Sequence, residues 1–328
     1  MKRGDAPGYR DHPFVLFLCR GDRRMREGER AATGRTPGKG RSLPGVPGKQ
    51  RTFAIIYSTA DVFYREVTLN AEKASREIGT KLIVKAPDEA GLEQQIRMME
   101  NLIKQHVDGI AISPIDVDAL TPYINKAMEA GIKVICFDND APQSDRLAFI
   151  GIDNYEAGRK MAQFVKHLLG GQGMVIAETG MASFSGIRER VSGFRDELAQ
   201  SPDLQLLELR TDGDNADRAT ANLEMMIQAH PHFDVFVGLD SVAGSAALLV
   251  WKAKGSRQYA VTFNDMPEPL NGVKNEQITA ILSQHEQVWG ELIVNELNDA
   301  CDGKPLREMY RLEPEFITRD NLERFQTK

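Results

Sequence analysis

From Arg51 to Asn321 the apolar positions fall into two alternating patterns. Short apolar runs closed by polar turns read as strands buried on both faces, and stripes repeating every three or four residues read as amphipathic helices. The first series has strands at Thr52–Ser58, Lys81–Lys85, Gly109–Ser113 and Val134–Phe137. Its helices carry Val67, Ala71, Ala74 and Ile78, then Leu92, Ile96, Met99 and Ile103, then Leu120, Ile124 and Met128. Phe149–Asn154 reads as a crossing segment, after which a second series follows. Its helices are predicted at Tyr155–Leu169, Phe184–Gln200, Ala216–His230 and Ser241–Ala253, and its strands at Met174–Glu178, Leu204–Arg210, Val235–Gly238, Tyr259–Phe263 and Thr279–Ser283. Two alternating series of similar length predict an α/β protein of two similar doubly wound parallel-sheet lobes. Every apolar stripe is assigned to a core.

The run Val134-Ile135-Cys136-Phe137 ends abruptly in Asp138-Asn139-Asp140. In open α/β sheets ligands bind outside the carboxyl ends of strands, where loops converge on a crevice. Asp138 is either aimed at a ligand from that position or caps a turn, and the same choice applies to Asp140.

Composition narrows the classes. The 328 residues, 41% hydrophobic with a net charge of −6, suit one large or two mid-sized domains. Residues 1–50 hold nine Gly and five Pro and carry +7, whereas the remainder carries −13. The segment 1–50 is therefore expected to be disordered, and the acidic body argues against a nucleic-acid surface. Its apolar patch, Phe14 to Leu18, is shorter than the roughly 7–15 residues of a secretory signal. Leu16-Phe17-Leu18-Cys19 approaches a lipoprotein cleavage box but lacks small residues before the Cys. No apolar run reaches the roughly 18 residues of a membrane span, and Cys19, Cys136 and Cys301 imply no disulfide framework.

Motifs for other chemistry fail on context. Gly170-Gly171-Gln172-Gly173 sits after a helix rather than after a strand, so it is a helix terminus and not a dinucleotide fingerprint. Asp212-Gly213-Asp214-Asn215 resembles half a calcium loop without the closing Glu, and helix capping by Asp214 or Asn215 is the favoured reading. His230-Pro231-His232 has no accompanying Cys for a metal. No nucleophile–base set, cofactor motif or metal site is predicted.

What remains is a set of polar and aromatic residues at strand ends facing one crevice: Phe63 and Tyr64, Asp138 and Asn139, Asp240, Asn264 with Asp265, and Gln284. Arg188 opens the helix after strand Met174–Glu178, although Arg190 stands two positions away. Flat rings shield the apolar face of a sugar, and planar Asp, Asn, Gln and Arg groups make paired hydrogen bonds to adjacent hydroxyls.

In this order, Ser58-Thr59 with Phe63-Tyr64, Asp108–Pro114, Val134–Asp140, Ile152-Asp153-Asn154, Gly186–Arg190 with Gly193-Phe194, and Phe263-Asn264-Asp265 carry a resemblance. The chain resembles the type I periplasmic sugar-binding proteins, the ribose-binding family, whose fold is shared by lac-repressor-type effector domains. The resemblance implies that Phe63 and Tyr64 sandwich a sugar ring clear of the core and that Asp61 adds a polar contact. It also implies that Asp138, Arg188, Asn264 and Gln284 bind hydroxyls, with Asp138 and Arg188 gripping one ligand from opposite lobes. Asn139 stands where ribose binders carry Arg, Ala216 where they have a stacking Phe, Leu239 where they have Asn, and Asn264 where they have Asp. These departures argue against ribose and imply space freed at Ala216.

The resemblance further implies a three-segment hinge. Lobe 1 is then 51–152 plus 285–312, and lobe 2 is 153–284 plus 313–328. The implied function is a monomeric, non-enzymatic protein that binds a sugar or polyol outside the cytoplasm and passes it to an ABC permease. The alternatives are a ligand sensor coupled to a membrane kinase or chemoreceptor, and a transcription-regulator effector domain, for which Met1–Gln50 lacks a helix-turn-helix.

Overall fold

A computed structural model describes residues 50–60, 63–88 and 91–326. The expectations for residues 1–49, and for Asp61, lie outside the described residues.

The apolar runs pair into two six-stranded sheets. In the first lobe, β1 (Thr52–Ile56), β2 (Lys81–Lys85), β3 (Gly109–Ile112), β4 (Lys133–Phe137) and β5 (Ala148–Gly151) alternate with α1 (Tyr64–Glu77), α2 (Leu92–Lys104) and α3 (Val117–Glu129). In the second, α4 (Asn154–Leu168), α5 (Ser185–Leu198), α6 (Ala216–Ala229), α7 (Ala243–Lys254) and α8 (Pro267–Lys274) alternate with β6 (Gly173–Thr179), β7 (Leu204–Thr211), β8 (Val235–Gly238), β9 (Tyr259–Phe263) and β10 (Ala280–Ser283). The chain then returns as α9 (Glu286–Cys301) and β11 (Met309–Arg311) before ending with β12 (Glu315–Ile317) and α10 (Glu323–Gln326).

The sheet orders are β11-β5-β4-β3-β1-β2 and β12-β10-β9-β8-β6-β7, so the second repeats the first. The two differ at one edge, where β11 runs parallel to β5 but β12 runs antiparallel to β10. The chain passes between the sheets after β5, after β10 and after β11. In each sheet the strand order reverses beside the first strand, between β1 and β3 and between β6 and β8. Loops diverge there and leave a crevice at the carboxyl ends.

The stripes largely bury as the periodicity predicts, with two informative departures. Ile78 lies at the carboxyl end of α1 and is 39% exposed. In α2 the fully buried positions are Gln95, Met99 and Leu102. Gln95 is enclosed because its amide donates to Tyr57 O (3.0 Å) and Ser113 O (2.8 Å) and accepts from Ile115 N (2.9 Å). It thereby ties together the loops after β1 and β3 that frame the crevice. The short helix α8, opened by Pro267, was not anticipated from periodicity.

Candidate functional site

Asp138, Asp214 and Asn264 hold left-handed backbone, with φ of 61°, 58° and 70°. Asx residues tolerate this conformation better than other side chains, and concentrated backbone strain marks functional sites. All three face one cavity between the lobes, the kind of concave site where small molecules bind. The first lobe lines it with Ser58, Thr59, Phe63, Tyr64, Asp138 and Asn139. The second contributes Phe184, Gly186, Ile187, Arg190, Asp214, Asp240, Ser241 and Asn264, with Gln284 at a crossing. Among the described residues expected at the site, all but Arg188 and Asp265 therefore lie on this cavity.

Asp138 is fixed from its own lobe. The Tyr64 hydroxyl donates to its Oδ2 at 2.7 Å and the Ser113 hydroxyl at 3.2 Å. Asp140, two residues on, instead accepts from Ala141 N and pairs with Arg146 through both carboxylate oxygens. Asp140 therefore shapes the turn, while Asp138 lines the cavity. In the second lobe, Gln284 donates its amide to Asn264 Oδ1 at 2.7 Å, and both side chains are buried.

Tyr64 does not stand clear of the core. Its ring stacks on Tyr57 with centroids 4.2 Å apart and meets Phe137 edge-on. The cause is helical periodicity: Tyr64, Val67, Ala71 and Ala74 share one buried face of α1. The hydroxyl bonds Ser58 (2.9 Å) and Asp138. Phe63 lines the cavity while packing edge-on against Trp289. Tyr64→Ala is therefore expected to cost about 3–5 kcal/mol of stability, as large aromatic truncations do, and Tyr64→Phe about 1–2 kcal/mol. Urea unfolding of the two variants measures this, and an unchanged midpoint for Tyr64→Ala would contradict the core assignment.

The preference for Arg188 is reversed. Arg188 is exposed, and its Nη1 donates to Ala182 O (3.0 Å) and Ser183 O (2.5 Å) of the preceding loop. Arg190 is 5% exposed and lies on the buried face of α5 with Gly186, Gly193 and Phe194. Its guanidinium lies 3.6 Å over the Phe263 ring. Its nitrogens donate to Asn154 Oδ1 (3.2 and 2.5 Å) and to Leu239 O (2.7 Å). Burial lowers the guanidinium pKa to about 10, against the pull of Asp138 and Asp240, so it stays charged at neutral pH. The helical spacing of four from Arg190 to Phe194 was the signal that separates it from Arg188. Ala216 is exposed and does not line the cavity, so no room is gained there.

Behind the second-lobe wall lie buried carboxyls. Asp212 Oδ1 accepts from Asp214 N at 2.7 Å, and Glu178 Oε1 accepts from Asn222 Nδ2 at 2.8 Å. Asn215 caps α6, as expected for this turn. Burial, reinforced by Asp240, pushes Asp212 up to about 10; burial pushes Glu178 up to about 8 despite the Asn222 bond. A carboxyl with a raised folded value favours the native state only while protonated. Stability therefore falls as pH rises from the ordinary carboxylate range through about 8. Glu178→Gln is expected to flatten that decline, read as the urea midpoint between about pH 5 and 8; an unaltered slope would contradict the assignment.

Comparison with known proteins places this geometry. Residues 53–305 match the periplasmic binding protein domain. The ribose import binding protein of Bacillus subtilis is 24% identical over 81% of this chain and 87% of its own length. The D-ribose/D-allose-binding protein of Pseudomonas aeruginosa is 27% identical over 67% of this chain and 72% of its own. A solved ABC transporter solute-binding protein from Burkholderia graminis, in complex with D-arabinose, superposes with a TM-score of 0.80 at 29% identity, covering 84% of this chain and 97% of that one. No helix among the described residues is long and apolar enough to cross a membrane. The two-lobed fold and the match across most of its length make this chain a member of the periplasmic binding protein family, whose members bind solutes and are not enzymes.

Proposed function

We propose that the protein binds a sugar or related polyol in the cleft between its lobes and serves, outside the cytoplasmic membrane, as the substrate-binding component of an ABC importer. The observation that carries this reading is one cavity faced from both lobes by hydrogen-bonding groups, Asp138 and Asn139 on one side and Arg190, Asn264 and Gln284 on the other. A polyol touching both walls stabilises the closed arrangement, and a permease could recognise that state. The names of the relatives, which bind ribose, allose or arabinose, fit this class. Asn139 in place of the ribose binders' Arg supports a ligand other than ribose.

A thermal-shift panel of pentoses, hexoses, their alditols and inositols tests the reading. A ligand present at a hundred times its Kd stabilises by about 2.7 kcal/mol. With the best ligand, Asp138→Ala should weaken binding by about one to two decades, since a charge-assisted hydrogen bond contributes roughly 1.5–3 kcal/mol. Stabilisation by no polyol, or an undiminished affinity in Asp138→Ala, would contradict it.

A further inference from the structure

Asp214 and Asp240 stand on the cavity wall, whereas the fully buried Asp212 stands off it. One carboxylate oxygen from each of the three lies within 4.8 Å of the other two. Asp212 joins three strand ends. Its N–H donates to Thr179 O at the close of β6 (3.0 Å), and its Oδ1 accepts from Asp214 N (2.7 Å) in the turn after β7. Its carboxyl also lies in hydrogen-bonding contact with that of Asp240, just after β8. Oδ2 of Asp212 and Oδ2 of Asp240 are both buried and take no donor from any other group among the described residues. Two carboxyl oxygens bond each other only through a proton, because an ionised carboxylate accepts and does not donate. Asp240 Oδ1 already accepts from Val242 N (3.0 Å) and Ala243 N (2.8 Å), and the Arg190 charge on α5 attracts this carboxyl. Asp212 has one backbone donor and is pressed by a further carboxyl, Glu178 on β6. Asp212 is therefore the holder of the proton and Asp240 its acceptor.

We propose that Asp212 is a positioning residue for the cavity: one proton held between its carboxyl and that of Asp240 clasps the turns after β7 and β8, and so fixes Asp214 and Asp240 where a polyol meets them. This rests on the polyol-binding reading and adds the device that shapes its second-lobe wall. Asp214 holds left-handed backbone, φ 58°, and the bond from its N–H to Asp212 helps to keep it there. Gly180 leaves the room that the clasp needs: a Cβ there would lie 2.2 Å from Asp214 Oδ1 and 3.4 Å from Asp240 Oδ2. Without the proton, two adjacent buried carboxylates repel and the two turns are pushed apart. The raised value of Asp212, about 10, accords with a proton in place at neutral pH.

The test compares Asp212→Asn and Asp212→Ala in the full chain. An Asn amide donates to Asp240 without a titrating proton while its oxygen still accepts from Asp214 N, so the clasp persists; Ala removes both bonds. Calorimetry at neutral pH uses whichever of D-allose, D-arabinose, xylitol and myo-inositol binds the parent most tightly. Affinity should stay within threefold of the parent in Asp212→Asn and fall tenfold or more in Asp212→Ala. Infrared difference spectra of the free proteins, parent minus Asp212→Asn, should show the carbonyl stretch of one protonated carboxylic acid. Absence of that band would overturn the shared proton. Parent-like affinity in Asp212→Ala, or a tenfold loss in Asp212→Asn, would overturn the positioning role; the Asn variant decides alone if the Ala variant does not fold. Each of these results leaves the polyol reading intact, whereas binding of none of the four probes would overturn both.

Discussion

Replacing Arg190 with Ala is expected to lower stability by about 3–5 kcal/mol and to remove measurable ligand binding, because it leaves two buried acceptors without their donor and empties a packed position. Three neighbours depend on this side chain. Asn154 Oδ1 and Leu239 O would lose their donor, and the Phe263 ring would lose the cation above it. Two of these groups also hold parts of the cleft in place: Asn154 opens α4, and Leu239 precedes the wall residue Asp240. Arg190→Lys keeps the charge but not the fork, so it should recover part of the stability and little of the binding. Arg188→Ala removes two bonds to exposed loop carbonyls and should shift stability by no more than about 0.5 kcal/mol. Urea unfolding and calorimetry on the three variants measure this. Loss of binding in Arg188→Ala with retention in Arg190→Ala would return the ligand-facing role to Arg188.

The second large effect is expected from a single methyl group. Helices α4 and α5 cross through two glycines. A Cβ on Gly158 would stand 1.9 Å from Arg190 O, and one on Gly193 would stand 1.9 Å from Tyr155 O. Both obstacles are backbone atoms, so no side-chain rotation relieves the clash and the helices must separate. Gly158→Ala is expected to cost at least about 3 kcal/mol, the upper range for overpacking. Because α5 carries Gly186, Ile187 and Arg190 to the cavity, ligand affinity should fall with it. Gly255→Ala offers a contrast: no atom lies within 4 Å of its Cβ, so only the strain of φ 64° is felt. A smaller loss in Gly158→Ala than in Gly255→Ala would show that the crossing is not tightly packed.

The sheets were legible because buried parallel strands are short apolar runs with little ambiguity: Val235–Gly238 and Tyr259–Phe263 match the structure residue for residue, as does the edge strand Lys81–Lys85. The strand-end rule put Asp138, Asn139, Asp240, Asn264 and Gln284 on one cavity, since it depends only on where a run stops. What failed depended on angle around a helix. Arg188 and Arg190 differ by 200° of rotation at 100° per residue, and only anchoring the wheel on Phe194 tells them apart. The same oversight set the Tyr64 ring clear of the core, although it continues the stripe of Val67 and Ala71 while lining the cavity. Asp214 was read as a cap because its route into the cavity is a left-handed turn, φ 58°, that a local pattern does not announce. The buried carboxyls Glu178 and Asp212 lie on neighbouring strands or just past them, and only the pairing of β6 with β7 and β8 reveals that they meet behind Asp240.

The central claim is tested most directly by a crystal structure with the polyol that stabilises the protein most. The account predicts that ligand in the cleft, within hydrogen-bonding distance of Asp138 from the first lobe and of Arg190, Asn264 or Gln284 from the second. A ligand bound outside the cavity, or contacting one lobe alone with Asp138 and Arg190 left untouched, would contradict it.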